Sequence, residues 1–397
     1  MTRLRAERHR RKMLARIAAM AALPRSPENL IRLHRERLGY VNSSAVKFAI
    51  MMRLPGYWRR PDLSVVFRTA QSIDVLSACT DPVRWWQQPK PTGGWRTLCS
   101  PPLKIWLGQR IARDLVVAQL SPSDGVFDWP RRGPHRYVSH LANAIRTSGP
   151  YVMCMDIQSC YPSVDIDAVY QLNLIPPELI RSAIDHREFS YHRVQNTDEG
   201  TDAIVYPIVL HKNPTDPSGL LQGGPASSSI LAALLQGATE SVASGIPCQS
   251  YSDNYSIVGS TEAVVVEAAR DVARYVTQLR SGRLVFRQEV HDIREGFEHL
   301  GFRFEERAGD VAILLTDRKL YLALQKLEAE IESDWAVGAC DSTACVRRVL
   351  APHWCLTWHD TEVFSDHAEL HLHGLQVAHL IPSPLGSDSG RGFPRWQ

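Results

Sequence analysis

Two aspartates are the strongest candidates for chemistry in this sequence. Asp253 lies in the short polar segment 251–254, Tyr-Ser-Asp-Asn, which apolar and aromatic residues flank on both sides. This pattern is typical of a β-hairpin that turns at an Asp-Asn pair, although Asp-Asn also occurs in purely structural turns. Asp156 follows the apolar run 151–155, which predicts a buried strand. A carboxylate at the end of such a strand is costly unless it is paired or binds a cation, so Asp156 is a candidate metal ligand.

The separation of these aspartates by a loop and a helix favours two-metal phosphoryl transfer. In that chemistry, carboxylates hold two divalent cations roughly 3.5 to 4 Å apart, which activate an attacking hydroxyl and stabilise a leaving pyrophosphate. Oxygen ligands and a phosphate substrate favour Mg²⁺ or Mn²⁺. We therefore expect Asp156 and Asp253 to be catalytic and to bind Mg²⁺ or Mn²⁺.

Two glycine-containing segments are suited to approach a nucleotide. In 90–102, a Gly-Gly turn separates Lys90 from Arg96, which is typical of a two-stranded flap with cationic side chains, or of an ordinary charged hairpin. Arg96 could clamp a triphosphate bidentately, with Lys90 as a point charge. The segment 219–229 opens a helix with glycine, proline and small residues, and it resembles a phosphate loop without the lysine.

The N-terminal segment is locally basic in a chain whose formal net charge is only +3. Its density of cations favours contact with nucleic-acid phosphates over the alternative of a solvated helix face. The candidate nucleic-acid-binding residues are Arg3, Arg5, Arg8, Arg10, Arg11 and Lys12.

Length and composition exclude several classes of protein. At 397 residues the chain can bury a full core. Its eight cysteines are scattered, mostly in apolar runs, which indicates reduced core residues and no disulfide framework. No apolar run reaches membrane-spanning length, and the Arg-rich N terminus lacks the apolar stretch of a secretory signal. A mitochondrial presequence is disfavoured because the basic residues continue directly into sequence typical of a folded domain. We therefore expect a cytoplasmic protein with no membrane partner.

Periodicity predicts helices over 1–55, 103–120, 140–147, 230–243, 262–279 and 319–331. It predicts a strand at 283–286 and a small hairpin at 296–304. The segment 125–136 is predicted to be a loop with four cationic or histidine side chains. A solvated turn and a loop that contacts phosphates explain this composition equally well.

The C-terminal cysteines and histidines lack a compact CxxC pair, which favours core or surface roles over zinc binding. They are Cys340, Cys345, His353, Cys355, His359, His367, His371 and His373.

Five segments in order resemble the successive motifs of reverse transcriptases, most closely the bacterial retron-like and defence-associated type. They are the Gly-Gly-Trp-Arg flap, Asp-Ile-Gln-Ser-Cys-Tyr-Pro-Ser from 156, Leu-Gln-Gly-Gly-Pro-Ala-Ser from 221, Tyr-Ser-Asp-Asn from 251 and Phe-Glu-His-Leu-Gly-Phe from 297. The resemblance covers about residues 85–330, and the joint order is far more specific than any one motif. It implies an α+β right-hand polymerase fold whose palm is an antiparallel sheet with packed helices. The implied regions are a basic N-terminal helical extension (1–55), fingers (56–150), palm (151–305), a helical thumb and C-terminal region (306–380) and a flexible tail (381–397).

The resemblance also implies roles for individual residues. Arg96 would contact the incoming triphosphate, and the ring of Tyr161 would block a ribose 2′-hydroxyl, which favours deoxynucleotides. The metal ligands would be Asp156, the carbonyl of Ile157, and Asp253. The nucleotide-binding residues would be Lys90, Arg96, Tyr161, Gln222 and Gly223, and the primer grip would comprise Phe297, Leu300, Gly301 and Phe302.

The implied activity is that of an RNA-directed or template-atypical DNA polymerase, a nucleotidyltransferase that adds dNTPs to a primer 3′-hydroxyl or a protein hydroxyl. The implied partners are an RNA template, a DNA product and dNTPs, with a noncoding RNA or a second protein subunit as further candidates. A role in antiphage defence follows from the retron-like Tyr-Pro-Ser-Val alone. An RNA polymerase that uses rNTPs is disfavoured by Tyr161.

Two departures from the family pattern leave an alternative open. Reverse transcriptases usually have Tyr-x-Asp-Asp, and Asn254 stands in the last place here, which removes one negative charge while keeping the shape. The lysine usual between the palm hairpin and the primer grip is missing, and His291 is the nearest candidate acid. The alternative is a catalytically silent nucleic-acid-binding scaffold that partners an active polymerase.

Overall fold

The computed structural model of the chain describes residues 1–54, 62–89, 95–194, 218–336, 345, 346 and 349. The chain divides into two compact units, Met1–Ile293 and Arg294–Gln397. The boundary between them falls before residue 305, where the sequence analysis ended the palm. Both units contain helices and mainly antiparallel sheets, which is compatible with the predicted α+β class.

The first unit alternates helical and strand-containing segments. Its helices are α1 (Arg3–Ala21), α2 (Pro27–Asn42), α3 (Ser44–Met51), α4 (Leu63–Ser72), α5 (Leu103–Gln119), α6 (Pro134–Ser148), α7 (Cys160–Ser163), α8 (Ile166–Gln171), α9 (Pro177–Ala183), α10 (Ser227–Leu234) and α11 (Glu262–Gln278). Its strands are β1 (Val83–Pro89), β2 (Trp95–Ser100), β3 (Tyr151–Ile157), β4 (Tyr191–Arg193), β5 (Cys248–Tyr251), β6 (Asn254–Gly259) and β7 (Phe286–Asp292).

Local capping chemistry accounts for the start of α2. The hydroxyl of Ser26 accepts a hydrogen bond from the amide of Asn29 at 3.2 Å, and Pro27 occupies the first helical turn. A Ser cap followed by Pro is favourable because it satisfies an amide that has no partner within the helix and presets the backbone angle. The predicted helical stretch 1–55 is interrupted before this cap, since α1 ends at Ala21 and Pro24 follows it.

A four-stranded antiparallel sheet with the order β5-β6-β3-β7 forms the centre of the first unit. Helix α11 packs against β3, β6 and β7, and α6 packs against β5 and β6. Met153 and Ile257 from the sheet and Val272 from α11 belong to one continuous apolar core with the N-terminal helices. This core holds β3, at the middle of the sheet, in a fixed position.

A smaller sheet carries the predicted flap. Strands β1 and β2 pair antiparallel from Arg84↔Ser100 to Pro89↔Trp95, which confirms the two-stranded part. The Gly-Gly turn and Lys90 lie outside the described residues. Strand β4 adds to β1 in the parallel direction, a pairing that the sequence did not indicate. Trp85 of β1 is almost fully buried and belongs to the core of this sheet.

Arg10 is a buried structural residue, which corrects its assignment as a nucleic-acid contact. Its guanidinium donates to both carboxylate oxygens of Asp114 on α5, at 2.8 and 2.6 Å. The hydroxyl of Tyr40 donates to the same carboxylate at 2.6 Å, and Glu7 pairs with the guanidinium from within α1. A guanidinium held in this way has no free face for a phosphate. The basic segment is therefore a packed helix whose cations divide into buried and exposed sets.

Three predicted element boundaries differ from the structure. Helix α6 begins at Pro134 because Gly133 takes a φ of +122° and Pro134 suits a first helical turn, so it starts before residue 140. Helix α10 ends at Leu234, and Gly237 follows with a φ of +88°, so it stops before residue 243. Strand β7 begins at Phe286, and 283–285 precede it without ladder pairing.

The second unit contains a three-stranded antiparallel sheet and one long helix within its described residues. The sheet order is β10-β9-β8, with β8 (Phe297–His299), β9 (Phe302–Arg307) and β10 (Asp310–Leu315), and the helix is α12 (Asp317–Ala336). The predicted hairpin and the predicted helix over 319–331 are both confirmed, and β10 was not anticipated. Cys345 is buried, while the other C-terminal zinc candidates and the tail lie outside the described residues.

A search of the described helices for a membrane span found none that combines sufficient length with sufficient apolar character.

Candidate active site

Strand pairing brings the two predicted aspartates to one edge of the central sheet. Asp156 is the register partner of Asn254 on β6, and the amide of Ile157 donates to the carbonyl of Asp253 at 3.0 Å. On the other side of β3, Asp156 faces Arg287 of β7. The side chain of Asp156 is exposed at this edge, where an oxygen ligand is accessible to solvent.

The hairpin turn lies one residue earlier than the sequence predicted. Tyr251 pairs with Asn254, so Ser252 and Asp253 form a two-residue turn and Asn254 is the first residue of β6. Asn254 joins the strand because it is held by ladder pairs on both sides, to Tyr251 and to Asp156. Ser252 takes a φ of +59°, a conformation required of the first residue in some tight hairpin turns.

Asp253 is a partly buried carboxyl with polar neighbours. Burial raises its pKa, while its own backbone amide, the positive charge of Arg96 and hydrogen bonds from Asn254 and Ser252 oppose that increase. The Asn254 amide Nδ2 donates to Asp253 Oδ1 at 3.0 Å. The structure thus places Arg96 of β2 within electrostatic reach of Asp253, as expected if both face one ligand. Asn254 acts here as a donor, whereas a carboxylate would repel Asp253.

Tyr161 lies beside the same turn. Its hydroxyl is 2.6 Å from Ser252 Oγ, and burial raises its pKa. Because Tyr161 belongs to the short helix α7 directly after β3, this contact ties the end of β3 to the β5–β6 turn. The ring is thereby held at the edge of the sheet that carries Asp156 and Asp253.

The glycine-rich loop joins Tyr161 to the flap. Leu220 donates its amide to the carbonyl of Tyr161 at 2.9 Å, and Cys99 of β2 donates to the carbonyl of Gln222 at 2.8 Å. A Cβ on Gly223 would lie 2.6 Å from the Cys99 carbonyl, so only glycine permits this approach. These contacts therefore bring together Gln222, Gly223, Tyr161 and the strand that bears Arg96.

A third carboxylate, Asp128, belongs to this region and was missed by the sequence analysis. Ser250 of β5 donates its amide to the carbonyl of Gly125 at 2.7 Å and accepts from the amide of Phe127 at 2.8 Å. Asp128 follows and accepts a backbone hydrogen bond from Ser252. Burial, and secondarily the negative charge of Asp253, raise the pKa of Asp128 to about 7. The sequence feature that could have identified Asp128 is the apolar pair Val126-Phe127 directly before it, a shorter form of the apolar run before Asp156. The segment was instead interpreted as a loop.

The three carboxylates share one buried neighbour. Burial raises the pKa of the Cys160 thiol, and the negative charges of Asp253, Asp156 and Asp128 raise it further. The region therefore concentrates negative charge around the start of α7. The described residues contain no preassembled group of three or more metal-ligating side chains. Carboxylate oxygens nevertheless suit a hard divalent cation, and the predicted ligands Asp156 and Asp253 lie at one sheet edge.

Other predicted site residues are placed elsewhere. His291 pairs with Val152, four positions along β7 from Arg287, so it lies roughly 13 Å along the strand from the level of Asp156. At that distance His291 is too far from Asp156 to act as the candidate general acid. The other predicted nucleic-acid-binding residues of α1 are exposed, and Arg11 among them pairs with Glu7 at 3.3 Å; they are Arg3, Arg5, Arg8, Arg11 and Lys12.

The predicted primer-grip segment is a hairpin of the second unit. Leu300 and Gly301 form its turn with φ angles of +52° and +76°. Phe297 and Phe302 are buried on either side, and the ring of Phe302 has Lys319 Nζ 4.0 Å from its centroid. The two phenylalanines are thus core residues of this unit, whereas Glu298 is exposed and the turn residues are half-buried.

Searches for related proteins give no further guide to the site. No protein-family model matches the chain, and no curated protein matches its sequence. The chemistry of this edge of the sheet is accordingly inferred from its own residues.

Proposed function

We propose that this protein is a DNA polymerase of the reverse transcriptase type, with a right-hand fold, that adds dNTPs to a primer 3′-hydroxyl or a protein hydroxyl. The observation that best supports the proposal is the meeting of Asp156 and Asp253 at one edge of an antiparallel sheet. Five motifs in family order resemble those of reverse transcriptases, and four of them contribute to that edge. An RNA template, a DNA product and a cytoplasmic location belong to the same proposal.

Each residue around the edge has a role in this reaction. Arg96 binds the triphosphate, and its positive charge also opposes the rise that burial causes in the pKa of Asp253. The ring of Tyr161, fixed by Ser252, limits the space beside the sugar. The glycine-rich loop places Gln222 and Gly223 under the nascent base pair. Mg²⁺ or Mn²⁺ held by Asp156 and Asp253 would supply activation of the hydroxyl and stabilisation of the pyrophosphate.

Incorporation of labelled dNTPs tests the proposal. The full chain is incubated with Mg²⁺ or Mn²⁺ and with RNA or DNA primer–templates, and also without added template. Asp156→Asn and Asp253→Asn should abolish incorporation, while Asp124→Asn should not, because the Asp124 side chain is fully exposed. The absence of incorporation by the unmodified protein with every template, metal and copurifying partner would contradict the enzyme proposal.

A second candidate function is a silent nucleic-acid-binding scaffold that partners an active polymerase. It is favoured by Asn254, whose amide already occupies one oxygen of Asp253. A scaffold would bind nucleic acid without incorporating dNTPs, and Asp156→Asn would leave its nucleic-acid binding unchanged. Asn254→Asp, which restores the usual family carboxylate, separates the two functions because only a polymerase would change its rate.

The proposed role in antiphage defence rests on the retron-like Tyr-Pro-Ser-Val. Sequencing the nucleic acid that copurifies with the protein would identify a dedicated noncoding RNA template if one is used. Random cellular RNA in the purified protein would argue against a dedicated template.

A further inference from the structure

Asp128 is tied to the turn that carries Asp253. Residues 125–127 run beside β5 through two backbone hydrogen bonds to Ser250, at 2.7 and 2.8 Å, and Val126 forms a parallel bridge with the same residue. The next residue, Asp128, accepts a hydrogen bond from the backbone of Ser252. A change in the position of Asp128 would therefore move the turn, and a movement of the turn would displace Asp128.

The Asp128 side chain has an unused acceptor. Its Oδ2 is shielded from solvent and has no hydrogen-bond partner, and among the described residues it is the one carboxylate oxygen in that condition. An unsatisfied buried carboxylate oxygen is costly, and in native proteins such an atom calls for an explanation such as an ion. No ion pair with Asp128 is present in the described part of the chain, so no cation of the protein supplies that explanation there.

The surroundings of Asp128 are those of the candidate metal site. Its negative charge raises the pKa of Cys160 together with the charges of Asp253 and Asp156, and it raises the pKa of Tyr161 together with Asp253. Asp128 therefore lies near the side chains that frame the proposed catalytic edge. A divalent cation there would relieve the repulsion between Asp128 and Asp253.

We propose that Asp128 is a third carboxylate ligand of the divalent-cation site and supplies the negative charge that Asn254 lacks. The substitution at 254 removes one charge from the usual hairpin pair, and a carboxylate from a neighbouring segment restores the total. The proposal rests on the proposed function only in requiring that this edge binds a divalent cation.

Binding of Mn²⁺ alone to the full chain tests the proposal, measured by the electron paramagnetic resonance signal of free Mn²⁺. Asp128→Asn should weaken Mn²⁺ affinity at least tenfold, and Asn254→Asp in that background should restore most of the loss. Asp124→Asn is the matched control and should leave the affinity unchanged. An unchanged Mn²⁺ affinity in Asp128→Asn, or a double variant no tighter than Asp128→Asn, would overturn the proposal.

A second measurement does not depend on the folding of the variants. In crystals of the unmodified protein soaked in Mn²⁺, anomalous scattering should place an ion in contact with the Asp128 carboxylate. An ion bound by Asp156 and Asp253 without Asp128 would refute the proposal.

The Mn²⁺ readout separates this inference from the proposed function. Asp128-dependent Mn²⁺ binding without dNTP incorporation would contradict the polymerase proposal and support Asp128 as a third ligand. Incorporation of dNTPs that persists in Asp128→Asn, with Mn²⁺ affinity unchanged, would contradict the third-ligand proposal and support the polymerase proposal.

Discussion

The hydroxyl of Tyr161 lies 2.6 Å from Oγ of Ser252, a residue 91 positions further along the chain. The contact joins the segment after β3 to the turn between β5 and β6, where Ser252 holds a φ of +59°. Ser252 also donates a backbone hydrogen bond to Asp128. One serine thus connects the ring proposed to select the sugar with two of the three carboxylates.

Substitutions at Tyr161 separate the ring from the hydroxyl. Tyr161→Ala removes the ring and should relax discrimination between dNTPs and rNTPs. Tyr161→Phe keeps the ring and should retain discrimination, while loss of the hydrogen bond costs about 1 kcal/mol of unfolding free energy. The ratio of dNTP to rNTP incorporation and a denaturation curve provide the two measurements. Equal loss of discrimination in both variants would show that the turn geometry, and not the ring, selects the sugar.

Gly219 should be far less replaceable than Gly245. Both have positive φ angles, +61° and +90°, at which a side chain costs about 1 to 2 kcal/mol. A Cβ on Gly219 would also lie 2.1 Å from the carbonyl of Tyr161, whereas a Cβ on Gly245 meets nothing within 4 Å. Gly219→Ala should therefore lose about 2 kcal/mol more unfolding free energy than Gly245→Ala, since the backbone must shift. Urea denaturation of both variants measures the difference. Equal losses of unfolding free energy would mean that the loop backbone can shift at Gly219 without an energetic cost.

Arg10 and Arg8 should have opposite phenotypes. Arg10→Met leaves the partly buried Asp114 carboxylate without its charged partner, with only the hydroxyl of Tyr40 still donating to it, and should cost about 3 kcal/mol of unfolding free energy. Arg8→Met removes an exposed cation and should leave stability nearly unchanged while weakening nucleic-acid binding. Thermal denaturation and a salt-dependent binding assay distinguish the two variants. A stable Arg10→Met protein with weakened nucleic-acid binding would return Arg10 to the predicted binding set.

Asp185 should stabilise the fold only while it is ionised. Burial by itself would raise its pKa, but hydrogen bonds and the charge of Arg187, with a bond from Tyr170, lower the pKa below its ordinary value. The stabilisation is therefore fully present above the unfolded-state pKa of about 3.9 and is lost as the pH falls through the lower folded-state pKa.

The corresponding measurement is the unfolding free energy at a series of pH values from about 6 down to 2. The difference between the unmodified protein and Asp185→Asn should be largest at the upper end and should shrink towards acid. Asp124→Asn, at an exposed position, should show no such trend. A difference that stays constant with pH would mean that ionisation of Asp185 does not contribute to stability.

Much of the local structure could be predicted from the sequence because its causes are local. The Ser26 cap with Pro27 sets the start of α2, and apolar periodicity defines α5, α11 and α12 within a few residues. Asp156 and Asp253 were recognisable because each follows a strand-like run. The pairing of Asp156 with Asn254 across β3 and β6, which places Asp156 beside the turn that carries Asp253, was not predicted from the sequence.

Only the tertiary structure decided which charged residues are buried and what they contact. Arg10 looked like its exposed neighbours until Asp114, 104 residues away, enclosed it. Asp128 looked like a loop residue until the pairing of its segment with Ser250 placed it beside the hairpin turn. The reason is physical: periodicity and capping depend on near neighbours, whereas the burial of a charge depends on partners that only the folded chain brings together.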